Sequence, residues 1–441
     1  MKKWTRRAFI GAGVLAGGAA VFGVAIRPGN RAGKVKDLVA EKDETLINIW
    51  LKIGADNVIT AIVPHAEMGQ GVHTALAMML ADELDADWQM IRIEEAPANK
   101  EYASGGVIRG FAGATGDFPA LMQDTMNGLF NTIARVMSME LTGGSASVRF
   151  TGKFIMRVAG AAAKQMIKQA AAKEWKVPVE EVSTSMSRVS HQKTGQTETY
   201  AHFAAEAAQM DMPVQPVLKD PSEFTIMGTD IQRNDIPAKV KGTAQYGIDV
   251  KLPDMKYATI KSVPVFGNAI LSVDKSKLQK RGAYQKVIHN DKAVAVVADG
   301  YWLAKKGLED LQIEYKKNEK NELSTTTIFA NFSTDLDEGN GLKKDHYIGD
   351  AEKVFDEGGE VIEGEYRVPF LAHTAMEPMN CTVWLQEQKC EVWIGCQNPL
   401  GIQKAVAKIV NLDKEDVHVY NQYLGGGFGR KSETDVAEQA A

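Results

Sequence analysis

Cysteine is nearly absent from this chain. The 441 residues contain three, at 381, 390 and 396, and none falls in a Cys-x-x-Cys spacing. Iron–sulfur clusters are usually held by four thiolates, so no cluster is expected within this chain alone. So few cysteines also exclude a disulfide framework. The eight histidines are scattered without a His-Glu-x-x-His or other short zinc-binding spacing. A basic stripe is missing as well: the formal net charge is −5, which excludes the electrostatic footprint of a nucleic-acid partner. Beyond the first thirty residues there is no long hydrophobic run. What remains is a chain long enough for two or three domains with cores of their own.

The N-terminus reads as an address. A basic start with paired Arg6 and Arg7, in Thr5-Arg6-Arg7-Ala8-Phe9-Ile10, precedes a Gly- and Ala-rich apolar stretch from Phe9 to Ile26. This is the pattern of a twin-arginine export signal, with an ordinary membrane anchor as the alternative. No Ala-x-Ala cleavage site follows, so an uncleaved segment 1–31 would leave the protein attached to a membrane. Export to the periplasm by the twin-arginine route implies transport of a folded protein. That in turn implies a tightly bound cofactor inserted beforehand.

Periodicity outlines the rest. Residues 31–45 read as a polar linker. Ile47, Ile49, Leu51 and Ile53, a Gly54-Ala55-Asp56-Asn57 turn and Val58, Thr60, Ile62 predict a β-hairpin. Leu76, Met79, Leu80 and Leu84 predict a helix, as does the Ala-rich run from Lys153 to Trp175, with Pro178 beyond its end. Pro213, Pro216 and Pro221 mark a domain boundary. Ala293–Ala298 reads as a short buried strand and Tyr301–Leu311 as a helix. Residues 316–350 read as a second linker, and 361–424 as strand-rich. A hairpin turning at Gln388-Lys389 would set Trp384 opposite Trp393 and Cys381 opposite Cys396. Such a register permits a disulfide in an oxidising compartment, although two buried thiols are the plainer expectation. The fold class is α+β, mixed α/β, in several domains, with no internal repeat.

Three glycine loops each precede a helix: Glu67-Met68-Gly69-Gln70-Gly71, Thr142-Gly143-Gly144-Ser145 and Gly425-Gly426-Gly427-Phe428-Gly429. Ser432 and Asp435 are spaced as a capping box for the last helix. Glycine lets backbone approach a ligand closely, and a helix N-terminus offers unpaired N–H groups to anionic or oxo groups. Together the loops could grip one large, phosphate-bearing cofactor, although each alone is more readily a simple turn. The common nucleotide motifs fail on single residues. Arg430 stands where a dinucleotide fingerprint needs its third glycine, and the same Arg430 precedes Lys431-Ser432 where a P-loop needs glycine. This weakens a flavin or nicotinamide dehydrogenase, one of two rival readings. The other is a non-catalytic cofactor-binding or assembly-partner protein.

The strings Glu67–Gly71 followed by Val72-His73-Thr74, Gly425–Lys431 and Gly395-Cys396-Gln397-Asn398 resemble the xanthine dehydrogenase/aldehyde oxidase family. Lys241–Tyr246 and Val297–Trp302 resemble its hammerhead α/β domain. Here the Glu-Met-Gly-Gln-Gly segment precedes the hammerhead, an order similar to that in the branch of isoquinoline 1-oxidoreductase β-subunits. The resemblance implies a molybdopterin-binding segment at 45–215, a hammerhead domain at 223–320 and the start of a second molybdopterin-binding segment at 345–441. It implies a molybdopterin cofactor, in the cytosine dinucleotide form, whose pterin holds the molybdenum so that no side chain ligates the metal. It also implies hydroxylation of an aldehyde or N-heteroaromatic small molecule with water-derived oxygen. Electrons would pass to a separate [2Fe–2S] small subunit and a haem-bearing acceptor beyond it.

By the same resemblance Gln397 would approach the molybdenum, and Phe428 and Gly429 would line its apical side beside Gly426 and Gly427. Met68, Gly69, Gln70 and Gly71 would hold the pterin, and Thr142, Gly143, Gly144 and Ser145 its phosphate end. Two departures stand out. Ser432 occupies a position where the family often has glutamate, with Glu433 next, and the family's catalytic glutamate, in a later Gly-Glu segment, has no match here. The chain is therefore expected to be an N-terminal part of a longer protein, or a truncated form. His65 and His73 are assigned no role, Glu67 is expected to be structural, and Glu377 is a partly buried carboxylate near the site.

Overall fold

The computed structural model describes residues 31–441, apart from 115, 117, 119, 144, 214, 280–285, 340, 342 and 344–347. Most of the segment read as an export signal, and Gly144, therefore lie outside the described residues. Two compact units are present. One comprises the chain up to Val250 together with His373–Ala441, and the other is Lys251–Ala372. Helix and sheet are mixed in both, as the α+β reading expects. Among the described residues no helix is long and apolar enough to cross a membrane.

The first unit opens with a helix, Arg31–Val39, where the polar composition suggested a linker. A four-stranded sheet follows in the order β1 (Glu44–Asn48), β2 (Leu51–Gly54), β3 (Ile59–Val63), β4 (Ile91–Glu95). The alternation Ile47 to Ile53 crosses a tight turn rather than one strand, because Asn48 pairs with Leu51. Asn48 shapes that turn: its Oδ1 accepts the Trp50 N–H at 3.0 Å. The predicted turn at Gly54–Asn57 is present between β2 and β3, with Asn57 left-handed at φ 68°.

β3 and β4 run parallel, which requires a crossover. The helix Val72–Glu83 supplies it, and the first glycine loop is the junction that leads into it. A second helix packs on the first. It begins at Ala146 rather than 153, passes through a π-helical stretch at Gly152–Met156, and continues as Arg157–Trp175. Two glycines permit the contact. A Cβ on Gly160 would lie 2.3 Å from the Leu80 carbonyl oxygen, and one on Gly152 2.2 Å from Met79 Sδ. The core joins Leu51, Ile53, Ile59, Leu76, Leu80, Ile91, Met166 and Ile167. β5 (Val182–Ser185), β6 (Arg188–His191) and β7 (Gln196–Thr199) form an antiparallel meander that ends in a helix, Tyr200–Ala207.

The proline-rich segment does not end this unit. Residues 219–250 continue along it as a strap, so the second unit opens at Lys251, later than the 223 expected for the hammerhead domain. The strap is anchored on the fully buried Asp82, whose carboxylate accepts the N–H groups of Ile226 (3.0 Å) and Met227 (2.8 Å) and pairs with Lys219 (2.9 Å).

The second unit contains β8 (Tyr257–Ser262), β9 (Ala269–Asp274), β10 (Lys286–His289), β11 (Ala293–Ala298) and β12 (Gln312–Lys316). They form a β10-β11-β8 sheet and a β12-β9 pair, both antiparallel. Leu278, Val294, Val296 and Leu311 make its core. The polar stretch after it is not a plain linker. Thr325–Glu338 is a helix, started by a reciprocal Ser324–Thr327 cap that hydrophilic composition conceals. Within 361–424, expected to be strand-rich, residues 361–371 form no strand. Ile362, Tyr366, Val368 and Phe370 alternate as in a strand but stay exposed, with no neighbouring strand among the described residues to take their hydrogen bonds.

In the first unit again, β13 (Thr382–Leu385), β14 (Cys390–Ile394) and β15 (Val417–Asn421) form its last sheet. The hairpin register differs by two residues from the expected one. Thr382 faces Trp393, and the Glu387-Gln388 pair makes the turn, closed by Gln386 N–H to Lys389 O at 2.9 Å. Trp393 stacks on Tyr420 of β15 rather than facing Trp384, and all three cysteines are free thiols. β14 and β15 are parallel, and the helix Pro399–Val410 crosses between them.

Candidate functional site

Gln397 is the point where two of the predicted loops meet. It follows β14, is 3% exposed, and opens toward the helix Pro399–Val410. Its backbone oxygen accepts the Thr142 N–H at 2.8 Å, and its side-chain Nε2 donates to the Thr142 carbonyl at 2.9 Å. Its Oε1 accepts the Gly429 N–H at 3.0 Å, and its own N–H donates to Lys431 O at 2.8 Å. One glutamine thus joins the second loop to the third. The first loop arrives at the same place. A Cβ on Gly427 would lie 2.6 Å from Gln397 Oε1 and 3.0 Å from Met68 Sδ. Residues drawn from three distant stretches are therefore brought together.

The third loop has two left-handed glycines, Gly426 (φ 89°) and Gly429 (φ 93°), and between them a left-handed Phe428 (φ 52°). A phenylalanine seldom takes this conformation, and the ring is 68% exposed, so the surrounding backbone imposes it. The N–H groups of Gly426, Gly427 and Phe428 find no partner among the described residues. Ser432 and Asp435 do not make the predicted capping box. Ser432 Oγ turns back to Gly429 O at 2.6 Å, and Asp435 takes a two-pronged bond from Arg430, at 2.8 and 2.7 Å. The loop's own closure is thus preferred to capping the short helix Asp435–Ala440.

Beneath this loop lies Glu377, 7% exposed. Its Oε2 accepts the Gly425 N–H at 3.0 Å and pairs with the buried Lys431 ammonium. Its Oε1 accepts from Asn380 Nδ2 at 3.0 Å and from Ile248 N of the strap at 3.3 Å. Burial pushes this carboxyl's pKa up, but Lys431, Asn380 and the Gly425 N–H outweigh it and hold the group below the ordinary range. Glu377 is therefore a charged structural node.

The first loop differs from its expected role as a bank of free amides. Its N–H groups are taken by its own side chains: Gly69 and Gly71 donate to Glu67 Oε1 at 2.9 and 3.0 Å, and Met68 donates to Gln70 Oε1 at 2.8 Å. In the second loop Thr142 is buried, its Oγ1 accepting the Ala66 N–H at 2.9 Å, while Gly143 N donates to Ser147 Oγ at 2.9 Å. Ser145 precedes the helix Ala146–Thr151 without a side-chain cap. His65 is buried against Thr151 Oγ1 at 2.7 Å, and burial followed by the neighbouring His73 lowers its pKa to about 3, so it is neutral. A groove of about 1110 Å³ along β4 and β15 is lined by none of the three loops.

Residues 335–441 match the molybdopterin cofactor-binding domain family, a stretch that includes Glu377, Gln397 and the whole third loop. The isoquinoline 1-oxidoreductase β-subunit of Brevundimonas diminuta is 28% identical over 89% of this chain and 52% of its own length. The membrane-bound aldehyde dehydrogenase (pyrroloquinoline-quinone) of Gluconacetobacter polyoxogenes is 27% identical over 89% of this chain and 48% of its own. The B subunit of nicotinate dehydrogenase from Pseudomonas putida is 22% identical over 90% of this chain and 31% of its own. The chain is thus similar to these oxidoreductase subunits and matches a molybdopterin cofactor-binding domain over its last quarter. It spans about half the length, or less, of these relatives.

Three features of the site escaped sequence reading. The strap carries Arg233 to the first loop, with Nη2 at 3.1 Å from Glu67 Oε1. Lys431 pairs inward with Glu377. Glu140, just before the second loop, is buried, with Oε2 lacking a hydrogen-bond partner among the described residues. None has a motif; Lys431 alone could have been suspected, as a lysine in a glycine loop. Burial, then the nearby Glu95 charge, raises the Glu140 carboxyl well above its ordinary 4.5. A folded-state pKa above the unfolded one gives stability that is complete below the unfolded value and is lost as pH rises toward the folded value. Glu140→Gln should flatten that alkaline loss, read as urea midpoints between about pH 5 and 9. A midpoint that falls equally with pH in both proteins would remove Glu140 as the cause.

Proposed function

We propose that this chain is the molybdopterin-binding part of an exported molybdenum hydroxylase acting on an aldehyde or an N-heteroaromatic compound. The observation that carries the reading is the junction at Gln397, where the second and third loops are bonded together beside a glycine that leaves no room for a side chain. The donor set fits such a cofactor. Gly426, Gly427 and Phe428 present N–H groups unpaired among the described residues, and Gln397 presents an amide, all of which stabilise oxygens without adding a full charge. When bound, the cofactor supplies two-electron redox chemistry and transfer of a water-derived oxygen.

The chain's own residues bind, orient and shield. Gln397 holds the second loop against the third, keeping the Gly429 N–H and Thr142 in one frame. Glu377 and Lys431 fix the third loop from behind, where little water reaches. Met68 brings the first loop to the same face. Electrons would leave through a separate [2Fe–2S] subunit toward a haem-bearing acceptor, and the cofactor would be the cytosine dinucleotide form. Export along the twin-arginine route to the periplasm, with the N-terminal segment as signal or anchor, agrees with a cofactor loaded before transport.

Elemental analysis of the native protein with its co-purifying partners tests this. About one molybdenum per chain is expected, with iron that disappears when the partner is stripped away. A folded, exported sample without molybdenum would overturn the reading.

A further inference from the structure

Glu67 is fully buried, and its carboxylate lies in a nest of the first loop's own amides. Gly69 and Gly71 donate to Oε1 at 2.9 and 3.0 Å, and His73 N donates to Oε2 at 3.3 Å. This is how a glycine loop entering a helix receives an external anion, but here the anion belongs to the loop. Three donors on one carboxylate fix the path of Met68–Gly71 only while the carboxylate itself is fixed.

The strap supplies that restraint. Arg233 reaches Glu67 Oε1 with Nη2 at 3.1 Å and the Gly69 carbonyl with Nη1 at 2.7 Å. Its remaining edge is held by Asp235, at 2.9 Å from Nε and 2.5 Å from Nη2. Asp235 is buried, which raises its pKa, but Arg233 and Lys239 bring it down to about 2, so it stays charged. Arg233 thus grips both the internal anion and the main chain of the first loop. A planar guanidinium can make these bonds at once; an ammonium cannot.

We propose that Arg233 is a positioning residue for the cofactor, acting through Glu67: it locks the carboxylate in the amide nest and so holds Met68 against Gln397 and Gly427. This rests on the reading of the first loop as a cofactor contact. The loop then offers the cofactor a rigid surface, and its Gly69 and Gly71 amides take no part in holding phosphate.

The test uses the full chain with its bound cofactor and co-purifying partner. Arg233→Gln, Arg233→Lys and a control, Lys219→Gln, are compared with wild type. Lys219 holds the other end of the strap through Asp82 and Asp85 and touches no glycine loop. Two quantities are read: the rate at which pterin and molybdenum are lost on dialysis, and backbone amide exchange over residues 68–73. Arg233→Gln is expected to lose pterin about tenfold faster and to raise exchange in that segment by a similar factor, with Arg233→Lys between it and wild type. Lys219→Gln leaves both rates at wild-type values. Wild-type exchange in Arg233→Gln, or equal changes in the control, would overturn the proposal. Should Arg233→Gln not fold, Arg233→Lys carries the same comparison. Should wild type hold no pterin, the functional reading fails, while the exchange measurement still decides whether Arg233 locks the loop.

Discussion

Glu377→Ala should cost about 3–5 kcal/mol of stability, the range for removing one partner of a buried ion pair. The variant leaves the Lys431 ammonium, 2% exposed, without its carboxylate, and also strands the Gly425 and Ile248 N–H groups. Chemical unfolding followed by tryptophan fluorescence would read it. The charge explanation can be separated from simple loss of packing. Glu377→Leu combined with Lys431→Leu removes both charges together, and such replacements are often neutral or better. The pair should therefore be far less damaging than the two single losses summed. If the double variant is as unstable as that sum, the ion pair is not what holds the third loop.

Gly427→Ala should preserve most of the fold and empty the site. The added Cβ meets the Gln397 amide oxygen at 2.6 Å and the Met68 sulfur at 3.0 Å, and the atoms it displaces are the ones that bring the loops together. Met68 can swing away, whereas Gln397 is held by four hydrogen bonds and cannot move without breaking some of them. Retention of molybdenum is expected to fall by about 10- to 100-fold, as when supporting contacts around a metal site are lost. Metal content per chain measured beside the circular dichroism spectrum checks both halves. Normal metal content would show that the cofactor does not depend on this junction.

Local features of the site were more legible in the sequence than the contacts that join them. Glycines at Gly69, Gly71, Gly426 and Gly429 were legible because positive φ and close approach leave a local mark on composition. The hairpin turn at Gly54–Asn57 and the helix ending before Pro178 were legible for the same reason. The amides' destination was not. Nothing local distinguishes a loop that awaits an anion from one whose Glu67 already supplies it. The β13–β14 register differs by two residues because the turn falls at Glu387-Gln388 rather than Gln388-Lys389, and the aromatic partner of Trp393 is Tyr420 on β15. The failure at 361–371 is of another kind. The alternation is real, but a strand exists only beside a neighbour. Arg233 was invisible because it acts across 166 residues, and the pairing of Lys431 because its partner stands 54 residues away.

The Gln397–Thr142 junction has a consequence for the order of events in folding. Its two halves are 255 residues apart in the chain, and the whole second unit is synthesised between them. Contacts of such separation close late, because the intervening chain must be ordered or threaded past before they gain anything. The strand pairings of β1–β4, by comparison, lie wholly within the first hundred residues. The junction, by contrast, cannot exist on a ribosome-bound chain until Gln397 and the third loop have been released. The junction is therefore assembled only after both of its loops and the whole second unit have been made.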